Sequence, residues 1–154
     1  MAERQQWLSL AEVEAVAREA HATQTDKAGE PYVLHLQAVA EGTRARGGDD
    51  EQIAAAWLHD SVEDEQLSEQ WLADAALSQR TKDIVLALTK RQGEELPEYT
   101  QRILDTDGAR LVKAADIAHN CDPARRARLD EETRRRLTHK YARTRQLLGL
   151  VEGD

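Results

Sequence analysis

Trp57 to Asp64 reads WLHDSVED, and this short stretch decides how the rest of the chain is read. It closes an otherwise apolar segment, Ile53 to Leu58, whose spacing predicts a helix. Consecutive helical side chains diverge by roughly 100°, yet His59 and Asp60 can both reach a cation lodged in the groove beside the helix. Glu63 and Asp64 follow one turn later on the same face, because residues four apart are neighbours. One imidazole and three carboxylates are thereby gathered on a few residues. Without a cation such a cluster repels itself, and buried carboxylates in it could not all stay ionised. For Glu63-Asp64-Glu65 a solvated acidic helix end is the competing reading.

Two further sites belong beside this one. Asp116 and Asn120 lie one turn apart among the inward-facing Val112, Ala115 and Ile117, where an unpaired charge is costly to bury. A metal would satisfy Asp116; so would a salt bridge to Lys113, Arg125 or Arg126. His35 sits among Val33, Leu34 and Leu36, a setting that a core histidine also fits. His21, His119 and His139 lack a comparable setting and read as structural or surface residues. The order His35, His59-Asp60, Asp116 spans three separate predicted helices. Two imidazoles with two carboxylates suit Mn²⁺, Fe²⁺, Zn²⁺ or Mg²⁺ and leave positions open for water and substrate.

The remaining elements read as helices throughout. Ser9 and Glu12 form a capping box ahead of Val13, Val16, Ala17 and Ala20, so a first helix is expected from about Ser9 to Thr23. Gln24 to Pro31 reads as a loop, and the helical period then returns from Val33 until Gly47-Gly48. Asp49 or Asp50 caps the third helix. Helices are expected over Leu67 to Leu77, Ser78 to Thr89, from Pro97 through Leu104, and from about Gly108 to Asn120, where Asp122-Pro123 breaks the chain. A last helix runs from about Glu131 to Leu148. No two-residue alternation rich in β-branched residues occurs, so the fold class is all-α: one compact helical bundle, 1–154, with its core at about 10–148.

Composition narrows the function. A chain of 154 residues suits one domain with a real core. Phe is absent, so Leu, Ala, Val, Ile and the three Trp must fill it. The formal net charge of −8 argues against a nucleic-acid polymer as partner, while a small anionic substrate remains compatible if a cation and a local basic cluster work against the global field. Apolar runs fall far short of a membrane span. The lone Cys121 and the absence of a signal-like stretch in Met1 to Gln6 point to a cytoplasmic protein. A homo-oligomer is compatible with the sequence, which does not specify one.

The text around these sites carries a resemblance. His21 to Tyr32 (HATQTDKAGEPY), His35, Trp57 to Asp64 (WLHDSVED) and Leu111 to Asn120 (LVKAADIAHN) are similar, in the same order, to the hydrolase domain of RelA/SpoT proteins and the small alarmone hydrolases, a branch of the HD superfamily. The resemblance extends from about Leu10 to Leu148. It implies a metal, usually Mn²⁺, held by His35, His59, Asp60 and Asp116. It implies that Glu63 and Asp64 orient the attacking water, and that Lys27, Lys113 and Asn120 contact substrate. The implied reaction is removal of the 3′-pyrophosphate of (p)ppGpp or a related nucleotide.

Departures from the family concern the substrate. Asp26 stands where relatives commonly carry an Arg that packs on the base, and an anion there should weaken purine binding unless it points to solvent or is offset by Lys27. His35-Leu36 replaces His-Pro, Glu65 replaces a frequent Thr, and Cys121-Asp122-Pro123 follows Asn120 in place of a segment with a nucleotide-binding Thr. Asp26 favours a rival activity on another small phosphate ester or nucleotide, such as a deoxynucleotide monophosphate. A non-catalytic nucleotide-binding regulator is the rival from a different class, and retention of the ligands and of Glu63-Asp64 speaks against it. Arg125, Arg126 and Lys140 are further candidates to neutralise phosphate charge, whereas Arg134-Arg135-Arg136 reads as a solvated face.

Overall fold

The computed structural model describes residues 6–150; most of the stretch read for a secretory signal lies outside them. Among the described residues the chain forms nine helices and no strand: α1 (Leu10–Ala20), α2 (Val33–Ala45), α3 (Asp50–Leu58), α4 (Glu69–Asp74), α5 (Gln79–Leu88), α6 (Leu96–Asp105), α7 (Ala109–Asn120), α8 (Pro123–Ala127) and α9 (Glu131–Leu148). The all-α expectation is met. The nearest thing to extended pairing is an isolated bridge between Thr25 and Pro31 that pinches the loop between α1 and α2.

Local chemistry explains most of the boundaries. Ser9 and Asp49 each accept the N3 amide of their helix while the N3 side chain returns the bond, so α1 and α3 start on complete capping boxes. Ser68 and Ser78 cap α4 and α5. Asp122-Pro123 does end α7, but the pair also opens a further short helix: Asp122 accepts the Arg125 amide and Pro123 fills the first turn of α8. That element was not expected from the sequence, since Pro was read there only as a breaker.

The core lies around α3, which packs against α1, α2, α5 and α7 and buries every residue from Gln52 to Leu58. Leu36, Val39, Ile84, Val85, Ile103, Val112 and Ile117 complete it. Of the three Trp only Trp57 is core; Trp71 is half-buried and Trp7 is 46% exposed, so the interior relies on aliphatic residues more than composition suggests. Gly42 lets α2 and α7 close together, because a Cβ there would stand 3.2 Å from Ala115 Cβ. This approach sets the α2 face that carries His35 against the α7 face that carries Asp116. No helix among the described residues is long and apolar enough to cross a membrane.

Candidate metal centre

α2, the end of α3 and α7 deliver His35, His59, Asp60 and Asp116 to one point, where one donor atom from each lies within 4.8 Å of all the others. His35 and His59 are buried, and each turns Nε2 to Asp116 Oδ1, at 2.9 and 3.2 Å. Asp60 Oδ2 lies 3.1 Å from His59 Nε2 and 3.8 Å from His35 Nε2. His59 follows the last residue of α3, and its Nδ1 donates to the Ala56 carbonyl at 2.6 Å. A carbonyl can only accept, so the proton is fixed on Nδ1 and the neutral ring offers its Nε2 lone pair to the cluster.

The electrostatics describe a place for a cation. Burial disfavours an imidazolium, yet the Asp60 and Asp116 carboxylates outweigh it and raise His59 well above its usual range. Burial likewise opposes charge on Asp60, but the His59 ring holds it down to about 2. Asp116 is held well below the ordinary range against burial, chiefly by Lys113, whose Nζ lies 2.9 Å from Oδ2. Protons and an ammonium here balance carboxylates that a divalent ion would also balance, and metal and protons compete for such ligands. Two buried imidazoles and two carboxylates make a donor set that fits a divalent first-row cation.

The salt bridge offered for Asp116 is formed, with Lys113, and Asp116 also lies in the cluster of candidate metal ligands. Asn120, one turn on, donates Nδ2 to Asp116 Oδ1 at 3.2 Å and also lines the pocket. Glu63 and Asp64 lie past the end of α3, though the Asp64 amide still bonds the Asp60 carbonyl at 2.9 Å, so the helical spacing carries over. Burial raises both carboxyls, and the Asp60 charge adds to the shift. Glu63 accepts the Lys90 amide at 2.7 Å. Lys27 is exposed at the pocket rim.

A ring of supporting residues escaped the sequence reading. His119 Nδ1 stands 2.7 Å from His35 Nδ1; burial, with the His35 ring and Arg125, lowers its pKa to about 4, so it is neutral and able to accept the His35 proton. The view of His119 as merely structural or surface is corrected: it faces a member of the cluster. Tyr32 donates its hydroxyl to Asp60 Oδ2, and burial and that carboxylate push the phenol far above its usual value. His21 Nδ1 donates to Gln24 Oε1 at 2.5 Å, and Gln24 Nε2 donates to Asp64 Oδ2 at 2.9 Å. Tyr32 lies three residues before His35 and His119 three after Asp116, the helical spacing that could have marked both.

Asp26 corrects a second expectation. It neither points to solvent nor relies on Lys27: its Oδ2 lies 2.8 Å from Arg125 Nη1 of α8, and its Oδ1 accepts the amides of Ala28 and Glu30. Three of the cluster, His35, Asp60 and Asp116, line a pocket of about 350 Å³ whose walls include Asp26, Lys27, Glu63, Lys113, Arg125 and Lys140, while His59 lines the adjoining cleft.

Residues 14–151 match the HD domain family. The chain is an HD-domain protein. A Synechocystis protein named a probable guanosine-3′,5′-bis(diphosphate) 3′-pyrophosphohydrolase is 33% identical over 135 residues, covering 77% of this chain and 18% of that protein. A Mycobacterium leprae protein named a probable GTP pyrophosphokinase is 32% identical over 137 residues, covering 77% of this chain and 17% of its own length. A Vibrio cholerae guanosine-3′,5′-bis(diphosphate) 3′-pyrophosphohydrolase is 42% identical over 65 residues, covering 38% and 9%. This HD-domain chain thus spans less than a fifth of the length of these relatives.

Proposed function

We propose that this HD domain is a divalent-metal-dependent phosphohydrolase that removes the 3′-pyrophosphate of (p)ppGpp or a closely related nucleotide, with His35, His59, Asp60 and Asp116 as the metal ligands. The observation that carries the reading is the convergence of those four donors, within 4.8 Å of one another, beside a pocket that three of them line together with lysines. The names of the Synechocystis and Vibrio cholerae relatives support the substrate. Mn²⁺ is the expected ion, with Fe²⁺, Zn²⁺ and Mg²⁺ compatible with the same donors.

A divalent ion bound there supplies Lewis-acid polarisation of the phosphoryl group and a more acidic water. The chain's own groups do the rest. Glu63 accepts a proton from the attacking water, a role suited by a carboxyl that burial raises above its ordinary value, and Asp64, held by Gln24, orients that water. Tyr32 and His119 hold Asp60 and His35 in place. Lys27, Lys113 and Lys140 neutralise charge that builds on the phosphates as the bond breaks, and Asn120 hydrogen-bonds the substrate. The rival activity on another small phosphate ester drew on the unpaired charge of Asp26, and the Arg125 contact removes that reason.

The test is an elemental analysis of the purified protein followed by a substrate panel with added Mn²⁺ that scores orthophosphate and pyrophosphate separately. Pyrophosphate release from ppGpp, abolished by a chelator, is expected. Orthophosphate alone, or no metal-dependent turnover on any phosphate ester, would overturn the reading.

A further inference from the structure

The pocket has a cationic side and a neutral side. Lys113 and Lys140 line it, and both also line an adjoining cleft of about 60 Å³ together with Lys90, Glu63, Tyr99 and Tyr141. Among the described residues the ammonium groups of Lys90 and Lys140 have no carboxylate within ion-pair distance. Burial, and then the like charges of Lys113, Lys90 and Lys27, hold Lys140 below its ordinary range, which is the mark of cations facing one another. A phosphate group would relieve that repulsion.

Asp26, Arg125, Leu129 and Leu137 line the pocket but not the cleft, and their chemistry differs. The Asp26 and Arg125 side chains are only 5% and 19% exposed, and their charges cancel. Every acceptor that Asp26 offers is engaged: Oδ1 by two loop amides at 2.9 and 3.0 Å, Oδ2 by the guanidinium. A second tie, from Arg128 Nη1 to Glu30 Oε1 at 2.6 Å, fastens the same loop to the end of α8. A neutralised pair offers little to a phosphate. A guanidinium pinned at one edge by a carboxylate does present a flat face, and flat faces of this kind stack on aromatic rings, best where apolar side chains flank them.

We infer that Arg125, pinned by Asp26 in a pocket that Leu129 and Leu137 also line, is the seat for the nucleobase of the substrate. The base stacks on the Arg125 guanidinium while the phosphates lie toward the metal cluster and the lysines. Asp26 is a positioning residue: it acts through Arg125 and folds the loop between α1 and α2 around itself. The assignment rests on reading the pocket as a nucleotide site, and it divides that site into a part that reads the base and a part that does the chemistry.

Direct binding tests it apart from turnover. GDP and ribose 5-phosphate are titrated calorimetrically into the protein, into Arg125→Lys and into Asp26→Asn. In the unaltered protein GDP should bind roughly 10-fold or more tightly than ribose 5-phosphate. Arg125→Lys keeps the charge but removes the plane, and should weaken GDP by roughly 3- to 30-fold, the range of a cation–π contact, while ribose 5-phosphate changes by less than about 2-fold. Asp26→Asn should shift GDP in the same direction by less. Equal affinity for the two ligands in the unaltered protein, equal losses for both in Arg125→Lys, or no loss for either would overturn the assignment. Metal-dependent release of phosphate or pyrophosphate is scored separately, so the phosphohydrolase reading can stand or fall without it.

Discussion

The metal cluster and the Asp26–Arg125 wall share one pocket and are built in different ways. His35, His59, Asp60 and Asp116 ride on helices that pack on one another through the core, and three of the four are buried. Asp26 comes from a loop, and Arg125 from a five-residue helix that buries no residue at all. Moving a metal donor means moving α2, α3 or α7, whereas altering the wall disturbs two ion pairs and a few amide bonds. On the proposed reading, chemistry is therefore fixed by packing, and substrate choice by a surface that can vary without disturbing it. Substitutions in the two regions should separate cleanly.

The largest effect belongs to the cluster. His59→Ala removes a donor whose proton is fixed by the Ala56 carbonyl, and should abolish both metal retention and turnover. Elemental analysis of the variant showing an unchanged metal content would remove His59 from the ligand set. Next comes Glu63→Gln, which keeps the shape and deletes the proton acceptor. Turnover should fall by roughly 10²-fold or more, with metal content intact. The sign of its pH dependence is set by burial, which raises Glu63 above its ordinary value of 4.5. A base must be unprotonated, so the rate should climb as pH rises through that raised value and lose this limb in Glu63→Gln. Persistence of the limb at the same pH would transfer the role to Asp64, which burial also raises.

His119 joins the two regions, since it touches His35 and feels the charge of Arg125. His119→Ala should weaken metal binding by roughly 10- to 100-fold, the usual cost of losing a residue that orients a ligand. His119→Gln supplies a carbonyl that can accept the His35 proton and should recover part of that affinity. Direct metal titration of both variants decides it: unchanged affinity in His119→Ala would make the contact incidental.

Much of this was legible in the sequence, for a physical reason. Capping boxes, apolar periodicity and Gly or Pro stops are local, so the helices from Ser9 to Leu148 could be placed within a few residues, and the cluster residues stood out as charges among apolar neighbours. What stayed hidden was pairing across distance. Nothing local to Asp26 says that its partner lies on α8, 99 residues away. His119 looked like a surface residue because its role depends on how α7 lies against α2. Asp122-Pro123 read as a stop because a five-residue helix is too short to show a period.

The smallest effect should come from Asp26→Asn, and it is the sharpest probe of the wall. The amide oxygen can still accept from Ala28 and Glu30, which leaves the NH2 group, a donor, facing Arg125, so the loop keeps its shape while the charge pair is lost. The pair is more enclosed than a surface bridge, yet the guanidinium still reaches solvent, so the loss should be about 1 kcal/mol, nearer a surface pair than a buried one. For a chain of this length that lowers the melting temperature by roughly 2–4 °C. Metal affinity should not change, because the wall shares no hydrogen bond with a ligand. Asp26→Arg, the exchange that sequence alone recommends for strengthening the base contact, should do the reverse: it sets two guanidiniums against each other and drives Arg125 from its place. The two variants thus make opposite demands on rival accounts of one residue. Tighter GDP binding in Asp26→Arg would show that the loop and not α8 receives the base, and a fall in metal affinity in Asp26→Asn would show that wall and cluster are not separable after all.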